Sequence, residues 1–169
     1  MNIDSTAYRP IWPNDDGQTV SILDQTLFPH EFKTVKLASV EDAARAIRDM
    51  LVRGAPLIGA TAAYGMALAC ISDPSDAAIN AAGKTLEATR PTAINLRWAI
   101  RKVKKELLSL QESDRRKASW ELAARICDED VACNSKIGDY GVELLAAIAG
   151  KKKDGAPVNI LTHCNAGWL

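Results

Sequence analysis

The stretch from Gly54 to Ser72 constrains the fold most, because it contains no charged side chain. Its length approaches that of a membrane span, but it is rich in Ala, Gly and Thr, so it reads as a helix packed inside a protein core. Such a helix needs partners around it, and the 169 residues provide enough chain. A domain of this size buries roughly 70% of its unfolded-chain surface without staples. The balance of 47% hydrophobic and 25% charged residues is that of a globular chain rather than a disordered one.

Charge and cysteine usage narrow the partners. Lys+Arg 21 equals Asp+Glu 21, so neither a nucleic-acid surface nor an acidic-membrane surface is expected. The basic run Lys151–Lys153 is too short to act as a tail. The N-terminal Met-Asn-Ile-Asp-Ser-Thr lacks the basic-then-apolar order of a signal peptide. Cys70, Cys127, Cys133 and Cys164 form no Cys-x-x-Cys pair. Cys127 and Cys133 fall about 120° apart around a helix, which argues against a shared metal. A reduced, cytoplasmic compartment fits this usage.

The local patterns change along the chain. Asn14-Asp15-Asp16-Gly17 is a turn signal. Val20–Leu27 and Glu31–Leu37 read as strands of a small antiparallel sheet, with Pro29 and His30 in the loop between them. Ser39 reads as a helix N-cap with Asp42 three residues on, followed by Val40, Ala43, Ala44, Ile47 and Leu51 at helical spacing. A loop at Arg53–Pro56 opens the small-residue helix, and Asp73-Pro74 closes it. Ser75 caps a further helix to about Ala88. Thr89–Thr92 is the next break, before a helix striped by Ala93, Leu96, Ile100, Val103 and Leu107. A last helical pattern runs from about Ser113 to Ala149, stopped by Gly150.

Val158–His163 then reads as a short apolar strand entering the turn Cys164-Asn165-Ala166-Gly167. A strand feeding such a turn is the first step of a parallel α/β unit, and a lone strand of this kind needs neighbours. The expected architecture is therefore α/β overall. Residues 1–112 would form a domain of small antiparallel sheet plus helices, and 113–150 a long connecting helical segment. Residues 151–169 would be the first strand and turn of a truncated Rossmann-like domain, so the chain is expected to be the N-terminal piece of a longer protein.

Three places join special backbone to reactive side chains. Arg53-Gly54-Ala55-Pro56 opens a helix, where free N–H groups, the positive dipole end and a forked guanidinium all suit an anion; the alternative is a helix start with a solvated arginine. Arg90 stands before Pro91, read as a possible first helical position, and pairs with Arg53 as a second grip on one phosphate; an ordinary surface arginine beside a turn is the alternative. Cys164 stands at the carboxyl end of the predicted strand, where α/β sheets bind ligands; a buried structural cysteine is the alternative. Asp24-Gln25-Thr26 closes a strand and is either a cleft wall or a simple turn.

Four segments together carry a resemblance: Ile22–Leu27, Val52–Gly65, Thr89–Trp98 and Leu161–Gly167. In that order they resemble the 5-methylthioribose-1-phosphate isomerase family, whose relatives include ribose-1,5-bisphosphate isomerase and the regulatory subunits of the translation-initiation exchange factor. The resemblance implies an aldose–ketose isomerase of methionine salvage, working without metal or organic cofactor, and a homodimer when full length. It implies that Arg53, Gly54 and Ala55 bind substrate, that Arg90 holds the phosphate and that Cys164 is catalytic. The family's catalytic aspartate lies downstream of these motifs, so a chain ending at Leu169 is expected to be inactive alone. Cys164 favours the isomerase over a non-catalytic sugar-phosphate or nucleotide sensor.

Overall fold

The computed structural model describes residues 2–3, 6–153 and 155–163. Strands β1 (Asn2–Ile3) and β2 (Thr6–Ala7) pair antiparallel. Strands β3 (Ile11–Pro13), β4 (Val20–Leu23) and β5 (Thr34–Leu37) form an antiparallel sheet in the order β3-β4-β5. The register sets Ile11 opposite Ile22 and Val20 opposite Leu37, four side chains that are all buried. Alternation alone puts them on one face, and that face meets the helices.

The β3–β4 turn is held by its own side chains. Gly17 has φ +62°, and its N–H donates to the Asn14 carbonyl at 3.1 Å. The Asp16 carboxylate accepts the Thr19 hydroxyl and the N–H groups of Gln18 and Thr19. Those donors, Thr19 first, hold the Asp16 carboxyl well below the usual range.

Both strands are shorter than the expected Val20–Leu27 and Glu31–Leu37. The Asp24 carboxylate accepts the Thr26 N–H at 3.0 Å and the Thr26 hydroxyl at 2.6 Å, which turns the backbone out of the ladder. The Leu27 carbonyl accepts the N–H groups of His30 and Glu31, closing a second turn before β5.

Among the described residues five helices follow: α1 (Val40–Arg48), α2 (Ala55–Ser72), α3 (Asp76–Glu87), α4 (Ile94–Leu107) and α5 (Glu112–Ala149). The expected caps form. The Ser39 hydroxyl accepts the Asp42 N–H at 3.1 Å, and the Ser75 hydroxyl accepts the Ala78 N–H at 3.2 Å. The α4 stripe of Leu96, Ala99, Ile100, Val103 and Leu107 is buried. The helix begins at Ile94 rather than Pro91, because Arg90–Ala93 forms a turn of its own, closed by the Ala93 N–H on the Arg90 carbonyl at 3.0 Å.

Helix α2 is the centre of the molecule. It is long and apolar enough to cross a membrane, yet most of it is buried against α1, α3, α4 and α5. Its small residues set the close approaches. A Cβ on Gly59 would lie 3.2 Å from the Asn95 carbonyl oxygen, and one on Gly65 would lie 2.9 Å from the Ala43 Cβ. Gly65→Val is therefore expected to lower the apparent melting temperature by about 2–12 °C, for an overpacking cost of roughly 1–3 kcal/mol. Gly138→Ala meets nothing within 4 Å on α5 and is expected to leave it unchanged or slightly raised. Equal melting temperatures for the two variants would contradict this packing.

Only the first part of α5 is packed, through Leu122, Ala123 and Ile126 and the buried Arg115. Arg115 donates to the carbonyls of Leu110 and Pro74 and pairs with Asp76 at 2.6 Å, tying the start of α5 to the α2–α3 corner. Beyond Val131 the helix exposes Ile137, Tyr140, Val142 and Leu144. Segment 155–163 has no ladder partner among the described residues, so the strand expected at Val158–His163 is not formed there. The turn expected at Cys164–Gly167 lies outside the described residues.

Candidate functional site

The loop Leu51–Gly54 joins α1 to α2. Its carboxyl end is Gly54, which takes φ +90°, a conformation that side-chain-bearing residues rarely adopt. As the N-cap of α2, Gly54 offers no side chain to the first helical N–H groups. Pro56 occupies the first turn, where its missing N–H costs nothing. The result is a helix mouth with open donors and a positive dipole end, beside the Arg53 guanidinium.

That mouth forms one wall of a groove of about 380 Å³. Arg53, Gly54 and Pro56 face Cys127, Asp130 and Asn134 of α5, with Arg9 at the edge. Arg9 pairs with Asp128 at 2.6 Å and so fastens the N-terminal segment to α5. Burial pushes the Cys127 thiol up to about 11, so it stands in the wall as a neutral group rather than a thiolate. Burial likewise raises the Tyr64 hydroxyl, which packs edge-on to Trp120 at 5.5 Å. Arg53 is exposed and makes no ion pair among the described residues.

A neighbouring hollow of about 420 Å³ lies between the N-terminal ends of α2 and α4 and is lined by Pro56, Gly59, Ile94, Asn95, Trp98 and Asp130 among others. Pro56 and Asp130 border both spaces. The two arginines singled out in the sequence thus precede helices whose first turns pack together at Gly59 and Asn95. Arg90 is half-buried in the turn before α4 and lines neither space.

Cys164 lies outside the described residues, so its place relative to the groove is not part of this geometry. Among the described residues no group of three or more His, Cys, Asp or Glu side chains could hold a metal ion. Asp24, Gln25 and Thr26 do not line the groove; Gln25 sits behind it instead. The Gln25 side chain is buried, and its Oε1 accepts the Arg53 N–H at 3.0 Å. Sequence reasoning missed Arg9, Asp130 and this role of Gln25, because each depends on contacts between distant parts of the chain.

Residues 51–169 match the initiation factor 2 subunit family. The whole chain is 54% identical to the methylthioribose-1-phosphate isomerase of Brucella anthropi and covers 46% of that protein. It resembles the crystal structure of 5-methylthioribose 1-phosphate isomerase from Pyrococcus horikoshii with a TM-score of 0.74 and 36% identity, covering 81% of this chain and 40% of that one. It also resembles translation initiation factor eIF-2B, subunit delta, from A. fulgidus with a TM-score of 0.75 and 33% identity, covering 82% of this chain and 42% of that one. The chain therefore spans about half the length of the isomerase relatives it matches.

Proposed function

Because the chain belongs to the initiation factor 2 subunit family, we propose that it carries the N-terminal part of an aldose–ketose isomerase that converts 5-methylthioribose 1-phosphate to 5-methylthioribulose 1-phosphate in methionine salvage. The observation that carries this reading is the 51–56% identity to methylthioribose-1-phosphate isomerases, which extends over every residue of the chain. The groove beside Arg53 supports it, since a helix mouth with an exposed guanidinium suits a phosphate.

Phosphate on the anomeric oxygen prevents the sugar from simply unmasking an aldehyde. The ring C1–O bond must break with a proton delivered to the ring oxygen, C2 must lose its hydrogen and its hydroxyl proton to become the ketone, and C1 must gain a hydrogen. In this reading Arg53 and Arg90 neutralise the phosphate and orient C1–C2, with the N–H groups around Gly54 and Ala55 beside them. Cys164 carries the C2 proton, its thiolate acting as base and its thiol as acid. An aspartate downstream of these motifs protonates the ring oxygen. The protein works as a homodimer in the cytoplasm, and neither nucleic acid nor membrane is a partner.

A second reading is favoured by the comparable likeness to the eIF-2B delta subunit: a non-catalytic module that senses a sugar phosphate or nucleotide on the same scaffold. Assay of the protein at the full length of its isomerase relatives separates the two. The isomerase reading predicts ketose formation from 5-methylthioribose 1-phosphate, followed by phosphorus NMR, and much slower turnover of ribose 1,5-bisphosphate. Binding without turnover would favour the sensor, and faster turnover of the bisphosphate would reassign the substrate.

A further inference from the structure

We propose that Gln25 is a positioning residue that sets the substrate loop at Arg53 from behind. The proposal rests on the isomerase reading and adds to it a residue that does not itself touch substrate. Gln25 lies in the Asp24–Thr26 turn that ends β4 and is 3% exposed. Its backbone N–H donates to the Leu51 carbonyl at 2.9 Å, and its side-chain Oε1 accepts the Arg53 N–H at 3.0 Å. One residue, 28 positions away in sequence from Arg53, therefore grips both flanks of the loop that leads into α2.

The other end of the same amide shows why this contact matters. Gln25 Nε2 is buried and has no hydrogen-bond partner among the described residues. A buried unpaired donor is destabilising, so packing alone would favour an apolar side chain of similar volume here. The glutamine's favourable feature is the acceptor it presents to Arg53. That acceptor fixes the plane of the Val52–Arg53 peptide, one unit before Gly54, whose φ of +90° turns the chain into the first turn of α2. An added Cβ on Gly54, which borders the groove, would meet nothing within 4 Å. A loop held from behind in this way meets its ligand already ordered, which favours binding more than the chemical step.

The test uses the full-length protein and 5-methylthioribose 1-phosphate. Gln25→Met removes the acceptor and the orphan donor together at nearly constant volume, and Gln25→Asn withdraws the acceptor by about one bond length. Each is expected to raise KM roughly five- to thirtyfold with kcat within threefold, the pattern of lost preorganisation. The melting temperature of Gln25→Met should change little, because loss of the unpaired Nε2 donor offsets the Arg53 N–H left without its acceptor. Gln25→Glu keeps the acceptor and is expected to hold KM within threefold of wild type. A wild-type KM in both Gln25→Met and Gln25→Asn overturns the proposal, as does a Gln25→Glu KM as high as theirs. A fall in kcat and melting temperature together would mark a structural residue and also overturn it. Arg53→Ala serves as the reference: a raised KM there with none at Gln25 removes this inference alone, whereas a wild-type protein that never forms ketose removes the isomerase reading beneath it.

Discussion

Replacing Cys164 by alanine in the full-length protein is expected to lower kcat by about 10²–10⁴-fold, the range over which a positioned acid–base group contributes to a proton transfer. Substrate affinity should survive, since phosphate recognition is assigned to other residues. The effect follows from what the reaction requires. The hydrogen at C2 is not acidic in the closed sugar, so a group must remove it while the ring oxygen is protonated. A thiol is suited to that role because its pKa lies closer to neutrality than that of a hydroxyl, so a thiolate is within reach. Cys164→Ser would not restore turnover, because a hydroxyl in the same place stays protonated near neutral pH. Near-wild-type kcat in Cys164→Ala, measured under saturating substrate, would take the sulfur out of the mechanism.

The second large effect is expected at the arginines. Arg53→Ala and Arg90→Ala should each weaken substrate binding by about 2–4 kcal/mol, the loss seen when one partner of a desolvated charge pair is truncated. That corresponds to roughly 30- to 1000-fold in dissociation constant. Arg53→Lys should recover only part of it, because an ammonium lacks the planar fork that meets two phosphate oxygens. Arg53 stands at the mouth of α2 and Arg90 in the turn before α4, two helices that approach each other at Gly59 and Asn95. Removing either guanidinium should leave the core intact, as Arg53 makes no ion pair among the described residues and its backbone tie to Gln25 remains. Isothermal calorimetry on the catalytically silent Cys164→Ala background gives these constants without turnover.

The helices were the legible part of this chain. Ser39 and Ser75 sit where their hydroxyls meet the third following N–H, a purely local interaction that sequence spacing encodes. The apolar stripe of α4 and the charge-free run of α2 are equally local signals, and both are buried as the pattern implied. Strand ends were less legible, because apolar content continues past Leu23 while the Asp24 carboxylate captures the Thr26 N–H and stops the ladder. The start of α4 was misplaced for a similar reason: Pro91 suits a first helical turn, but the Arg90–Ala93 hydrogen bond closes an independent turn first.

For the site, Arg53, Gly54 and Arg90 stood out because glycine and proline mark the backbone around them. Their surroundings did not. The Arg9–Asp128 pair joins residues 119 positions apart, and the Gln25 contact to Arg53 spans 28. Contacts of that kind depend on how β4, α2 and α5 pack, which no local pattern encodes.

In the proposed site Arg53 at the mouth of α2 and Arg90 in the turn before α4 hold a single phosphate. A double-mutant cycle on substrate binding tests this most directly, with Arg53→Ala, Arg90→Ala and the pair compared by calorimetry. Groups sharing one ligand atom cluster are expected to couple by about 0.5–3 kcal/mol, so the double variant should lose less than the two singles added together. Losses that add to within about 0.3 kcal/mol, or an Arg90→Ala protein that binds 5-methylthioribose 1-phosphate like wild type, would contradict the account.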